Sequence, residues 1–136
     1  RELILKMSSN KVIKSSEAII SIEARGFIFG SAISLQASKP MLVARKPGKL
    51  PGEIISEDYL LEYGESSLSI QKESLKKFNS YAIVDDLLAT GGTIECVANI
   101  IRKSGKDVSG LITVVELLEL KGRNRFNFPV EAMVSL

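Results

Sequence analysis

The sequence contains no histidine and a single cysteine, Cys96, in 136 residues. Without histidine there is no Ser-His-Asp or Cys-His nucleophilic machinery, no HExxH metal site and no histidine-bearing zinc finger. One cysteine excludes an internal disulfide and a thiolate zinc site. It fits a reducing compartment, so a cytoplasmic protein is expected. No apolar run approaches the roughly 18 residues of a membrane-spanning helix, and no membrane partner is expected. Excess charge is scarce too. Eighteen basic residues against sixteen acidic ones leave +2, too little to argue for nucleic acid.

What is there describes one ordinary domain, residues 1–136, at 45% apolar and 25% charged residues. A compact fold of this size exposes about 7,000 Å² of the roughly 21,000 Å² of its unfolded chain, which leaves enough for a core. The chain opens on Arg1-Glu2-Leu3 rather than methionine, so a further N-terminal piece is expected before it.

Glu2 to Met7 reads as the tail of a helix. Ser16 to Ile22 is a buried-strand run that stops at Glu23-Ala24-Arg25-Gly26. A buried helix over Phe27 to Leu35 and a strand over Met41 to Ala44 follow. Arg45 to Gly52 carries two Pro-Gly pairs and reads as loop. Two β-like stretches, around Ser56–Tyr63 and Ser67–Gln71 with Gly64 as the turn, predict a small antiparallel excursion. Tyr81 to Val84 is a strand ending at Asp85-Asp86. Ile94, Val97, Ala98 and Ile101 then mark an amphipathic helix, with Gly105 as its stop. Cys96 lies beside that apolar face and reads as a buried structural thiol. Leu111 to Val115 is a further core strand. A basic helical turn at Lys121-Gly122-Arg123 precedes a last β-like piece, Val130 to Leu136. Apolar strands alternating with helices predict an α/β fold on a mainly parallel sheet, with its site beyond the strands' carboxyl ends.

The densest chemistry lies in Val84-Asp85-Asp86-Leu87-Leu88-Ala89-Thr90-Gly91-Gly92-Thr93. Small residues let backbone N–H groups converge on an anion, Thr90 and Thr93 add hydroxyls, and the loop opens a helix whose N-terminus favours phosphate. Adjacent carboxylates upstream suit sugar hydroxyls; at a strand end, Asp85 is expected to be exposed. Read separately, Asp85-Asp86 ends a strand and Gly91-Gly92 is a tight turn; their order together favours the cradle. No Gly-Lys-Ser/Thr follows and no GxGxxG occurs, so neither a Walker loop nor a dinucleotide fingerprint is present.

This stretch resembles the 5-phosphoribosyl-1-diphosphate signature of type I phosphoribosyltransferases, and the chain is similar to that family's adenine-using branch. Ile22 to Phe27, Arg45 to Gly52, Leu61 to Gly64, Val115 to Leu117 and Leu120 to Arg123 resemble its other motifs, in order. The resemblance implies a type I phosphoribosyltransferase fold and transfer of a phosphoribosyl group to adenine, giving AMP and diphosphate. It places Asp85 and Asp86 on the ribose hydroxyls, and Ala89, Thr90, Gly91, Gly92 and Thr93 around the 5-phosphate. Ala24 and Arg25 hold the diphosphate, with Arg45, Lys46 and Lys49 adding charge. Glu62 and Tyr63 sit on a lid as catalytic residues beside Arg25, and Leu117 covers the adenine ring. Magnesium is implied as a cofactor held mainly through the substrate, with no direct protein ligands, and a homodimer as the assembly.

The family's N-terminal hood over the base is not among these residues. Another purine therefore remains open as the acceptor, as does a phosphoribosyl-diphosphate-sensing regulator on the same fold. Residues 53 to 66, acidic and led in by two Pro-Gly turns, are expected to be mobile without substrate.

Overall fold

The computed structural model describes residues 1–61 and 64–136. Five parallel strands form the main sheet: β1 (Ala18–Ile22), β2 (Met41–Ala44), β5 (Ser80–Leu88), β6 (Asp107–Glu116) and β7 (Val130–Ser135), in the order β2-β1-β5-β6-β7. The second sheet is the antiparallel pair β3 (Ile54–Leu61) and β4 (Gly64–Gln71). Helices α1 (Glu2–Ser8), α2 (Lys11–Lys14), α3 (Gly26–Ala37), α4 (Lys72–Leu75) and α5 (Gly92–Lys103) complete the architecture, with short 3-10 turns at Leu118–Leu120 and Gly122–Arg125. The fold exposes 7301 Å², close to the surface expected for its size.

β1 is buried along its whole length because both faces of the sheet are covered, which is why it reads as an unbroken Ala-Ile-Ile-Ser-Ile run. Successive side chains go to opposite faces. Ile20, Ile83 and Leu111 pack with Val97 and Ile101 of α5. Ile19, Val84 and Ile112 pack with Met7, Ile13 and Ile33 on the other side. Each buried Ile contributes roughly 1.5–3 kcal/mol of transfer free energy. Lys39 ties this second face together from outside, its ammonium donating to the carbonyls of Ile13, Lys14 and Ser16.

Three expectations change. The strand at Tyr81 runs on to Leu88, because Asp85, Leu87 and Leu88 continue the ladder opposite Thr113, Val115 and Glu116. The acidic pair is thus held within a strand. Gly64, expected as the turn, is a strand residue opposite Leu61; Glu62 and Tyr63 lie outside the described residues. The hairpin also has much to pack against at its base. Leu68 and Ile70 are buried, Ile55 and Tyr59 pack on the same core, and Glu57 pairs with Lys103 of α5. Ser69 and Arg45 exchange backbone hydrogen bonds of 2.8 and 3.0 Å, joining the hairpin to the chain after β2.

Candidate active site

From β1 the chain crosses through α3 to β2, and from β5 through α5 to β6, so the connections leave the β1–β5 pair in opposite directions. A crevice opens at such a switch point, beyond the strand carboxyl ends. Ser21 pairs with Val84, so the loop after β1 faces the end of β5 across this crevice. It holds a cavity of 440 Å³ whose walls include Ala24, Arg25, Lys46, Asp85, Asp86 and the run Ala89 to Thr93. Residues far apart in sequence are gathered there because parallel strands end together.

At the cradle, Gly91 has φ +88°, a conformation open to glycine at little cost, and it turns the chain from β5 into α5. The first amides of a helix lack intrahelical acceptors. Among the described residues, Gly91, Gly92 and Thr93 N–H donate to no protein acceptor, and helical bonding begins with Glu95 N–H to Gly91 O at 2.9 Å. These free donors line the cavity as an anion site does.

Asp85 departs from expectation: it is 9% exposed. Gly26 brings the start of α3 against it, and a Cβ there would lie 2.9 Å from Asp85 Oδ1. Burial, reinforced by the neighbouring Asp86 charge, pushes the Asp85 carboxyl up to about 7, against the opposing Asp86 N–H bond and Arg25 charge. Asp86 N–H donates to Asp85 Oδ1 at 2.9 Å, and Arg25 Nε lies 2.7 Å from Asp86 Oδ2. Arg25 is largely solvent-exposed and free to exchange partners.

The basic loop is organised by Glu23, a residue that sequence reasoning quoted without a role. Its carboxylate accepts from Lys46 N–H at 2.5 Å and from Lys49 Nζ at 2.9 Å, and stands 3.6 Å from Arg45 Nε. Burial raises its pKa, but the Lys49 and Lys46 hydrogen bonds and the Lys49 and Arg45 charges prevail, holding it below the usual value. The peptide between Glu23 and Ala24 is cis. Of the three cations, Lys46 lines the cavity, whereas Arg45 and Lys49 face Glu23. Leu117 stands just past β6, its N–H bonded to Leu88 O at 2.9 Å, and is not among the cavity-lining residues. Glu62 and Tyr63 lie outside the described residues. Tyr59, also unforeseen, lines the cavity from β3.

Two further groups support the site from behind. Buried Glu116 receives two hydrogen bonds from Arg123, 2.7 Å from Nε and 2.5 Å from Nη2, which lower its pKa against the effect of burial. Cys96 Sγ donates to Glu57 O at 3.1 Å, and burial pushes the thiol up to about 11, as a structural role requires.

A switch-point cavity lined by an acidic pair and a small-residue loop at a helix start is what the fold presents, and the chain belongs to the phosphoribosyl transferase domain family, whose model matches residues 1–128. Its relatives narrow this further. An adenine phosphoribosyltransferase from Prochlorococcus marinus is 67% identical over 132 residues, covering 97% of this chain and 77% of that protein. The solved adenine phosphoribosyltransferase of Thermoanaerobacter pseudethanolicus is similar at 36% identity with a TM-score of 0.89, covering 99% of this chain and 77% of that one. A third, from Saccharomyces cerevisiae, is complexed with an imino-altritol bisphosphate and adenine. It matches at 32% identity and a TM-score of 0.80, over 97% of this chain and 73% of its own.

Proposed function

We infer that this chain transfers the phosphoribosyl group of 5-phosphoribosyl-1-diphosphate to adenine, releasing AMP and diphosphate in purine salvage. The observation that carries this reading is the convergence of Ala24-Arg25, Asp85-Asp86 and the loop Ala89 to Thr93 on one cavity. Adenine is supported as acceptor by relatives that bear its name.

In the reaction the C1–O bond to diphosphate breaks with its electron pair on oxygen, N9 of adenine bonds to C1, and the base loses its N7 proton. Positive charge grows on the sugar and negative charge on the leaving group, so placement of charge is the main task. The 5-phosphate sits on the free amides of Gly91 to Thr93 with the Thr90 and Thr93 hydroxyls. Diphosphate draws Arg25 away from Asp86 and is met by Ala24 N–H and Lys46. Released from Arg25, Asp86 takes a ribose hydroxyl beside Asp85. Glu23 keeps Arg45 and Lys49 close behind as a reserve of positive charge. Glu62 and Tyr63 serve on the lid, with Glu62 toward the N7 proton, and Leu117 borders the base.

Among the described residues no three acidic or thiol side chains cluster as a metal cage. Magnesium would be held mainly by the substrate's own diphosphate and ribose oxygens and would supply neutralisation of the diphosphate, with Asp85 and Asp86 on the ribose hydroxyls. A homodimer is supported by α3, where Ile28 is 69% and Leu35 84% exposed, seven residues apart on one side of the helix. No described helix is long and apolar enough to cross a membrane, and the unpaired Cys96 supports a cytoplasmic setting.

The test is product formation from adenine, hypoxanthine and guanine, each with 5-phosphoribosyl-1-diphosphate and magnesium. AMP from adenine, with little product from the others, is expected. Turnover of another purine in preference to adenine overturns the acceptor. Tight binding of the phosphoribosyl donor with no turnover of any base favours a sensor.

A further inference from the structure

Arg125 lies on the second 3-10 turn, outside the cavity walls and behind the loop that carries the free amides. Its Nε donates to Thr90 O at 2.7 Å, and its Nη1 pairs with Glu95 in the first turn of α5. The segment bearing it is backed tightly onto the loop. A Cβ at Gly122 would lie 2.3 Å from Ala89 O, and one at Gly91 would lie 3.1 Å from both Arg125 Cδ and Gly122 O. Two residues earlier, Arg123 grips Glu116 at the end of β6. Arg125 therefore joins the loop to two rigid elements, β6 and α5.

The peptide plane gives this contact its consequence. Thr90 C=O and Gly91 N–H belong to one peptide unit, which is trans, so the two bonds point in opposite directions. Fixing the carbonyl on Arg125 therefore fixes the direction of the Gly91 N–H, and Gly91 is one of the residues that line the cavity. Because Glu95 neutralises the guanidinium, its effect on the cavity is chiefly one of direction.

We propose that Arg125 is a positioning residue for the 5-phosphate subsite, setting the Gly91 amide through the Thr90 carbonyl. The proposal rests on reading Ala89 to Thr93 as the phosphate cradle. Without Arg125 the Thr90–Gly91 peptide is free to rotate, and one donor to the phosphate is misaligned. The loss is about tenfold in affinity, the scale of one hydrogen bond to a charged group. The diphosphate subsite, built on the loop after β1, keeps its affinity.

The experiment is calorimetric titration of the full chain with ribose 5-phosphate and, separately, with inorganic diphosphate plus magnesium. Wild type, Arg125→Met, Arg125→Lys and Thr93→Ala are compared. Arg125→Met is expected to weaken ribose 5-phosphate about tenfold and to leave diphosphate within about twofold. Arg125→Lys, which keeps a cationic donor, restores part of the loss. If Thr93→Ala weakens ribose 5-phosphate while Arg125→Met does not, the cradle stands and the positioning role is overturned. If neither variant changes ribose 5-phosphate binding, the cradle reading itself is overturned. Equal weakening of both ligands in Arg125→Met, with no recovery in Arg125→Lys, reduces Arg125 to general support of the fold and also overturns the proposal.

Discussion

Asp85 sits where a charge is least comfortable and is held there by Gly26. Its carboxyl titrates near 7, against an ordinary value of 3.8. Between those values the folded chain binds more protons than the unfolded chain, so this group's contribution to stability falls as pH rises from about 4 to about 7 and stays low above. Asp85→Asn keeps an acceptor for Asp86 N–H and removes the buried charge. The ligand-free variant should melt several degrees above wild type at pH 8, a gain of order 2–4 kcal/mol, and the gain should vanish at pH 4. The same variant should bind 5-phosphoribosyl-1-diphosphate more weakly. Melting curves across pH 4 to 8 check the first point; a constant difference across that range would deny Asp85 its shifted titration.

The β3–β4 hairpin shows how an acidic, polar-looking element is nonetheless anchored. Its inward residues Leu68 and Ile70 are buried, whereas the Glu57–Lys103 pair on its flank is partly solvated. Apolar burial should therefore dominate its attachment. Ile70→Ala should cost about 2–5 kcal/mol in urea unfolding, whereas Lys103→Gln should cost less than about 1 kcal/mol. A larger loss from Lys103→Gln would mean that the ion pair is the true anchor. Sequence patterning missed this anchoring because counting charge over residues 53 to 66 ignored the alternate inward positions of β4. It also missed α2 and α4, each four residues long and too short for a helical period to register.

At the scale of the whole molecule, the parallel sheet was legible because both-sided burial leaves continuous apolar runs such as Ala18 to Ile22. The cradle was legible because glycine, threonine and aspartate stand consecutively before an amphipathic helix. Glu23 and Arg125 were not: each acts on partners 22 to 35 positions away, a relation that local spacing does not encode. Assembly belongs to this scale too. The double variant Ile28→Glu, Leu35→Glu should be monomeric by analytical ultracentrifugation, whereas wild type should sediment as a dimer; a wild-type monomer removes α3 as an interface. The order of the strands also governs how the chain comes to be folded. β1 lies between β2 and β5, yet β5 begins only at Ser80, so the centre of the sheet waits for the middle of the chain to be synthesised. Such separated pairings delay folding, since a long loop must close before any contact rewards it. A fragment of residues 1–79 should accordingly show no cooperative urea transition and should be digested rapidly by protease. For as long as residues 1–79 stand outside a ribosome without β5, their apolar strands have nowhere to go, and the need of chaperones should be greatest then.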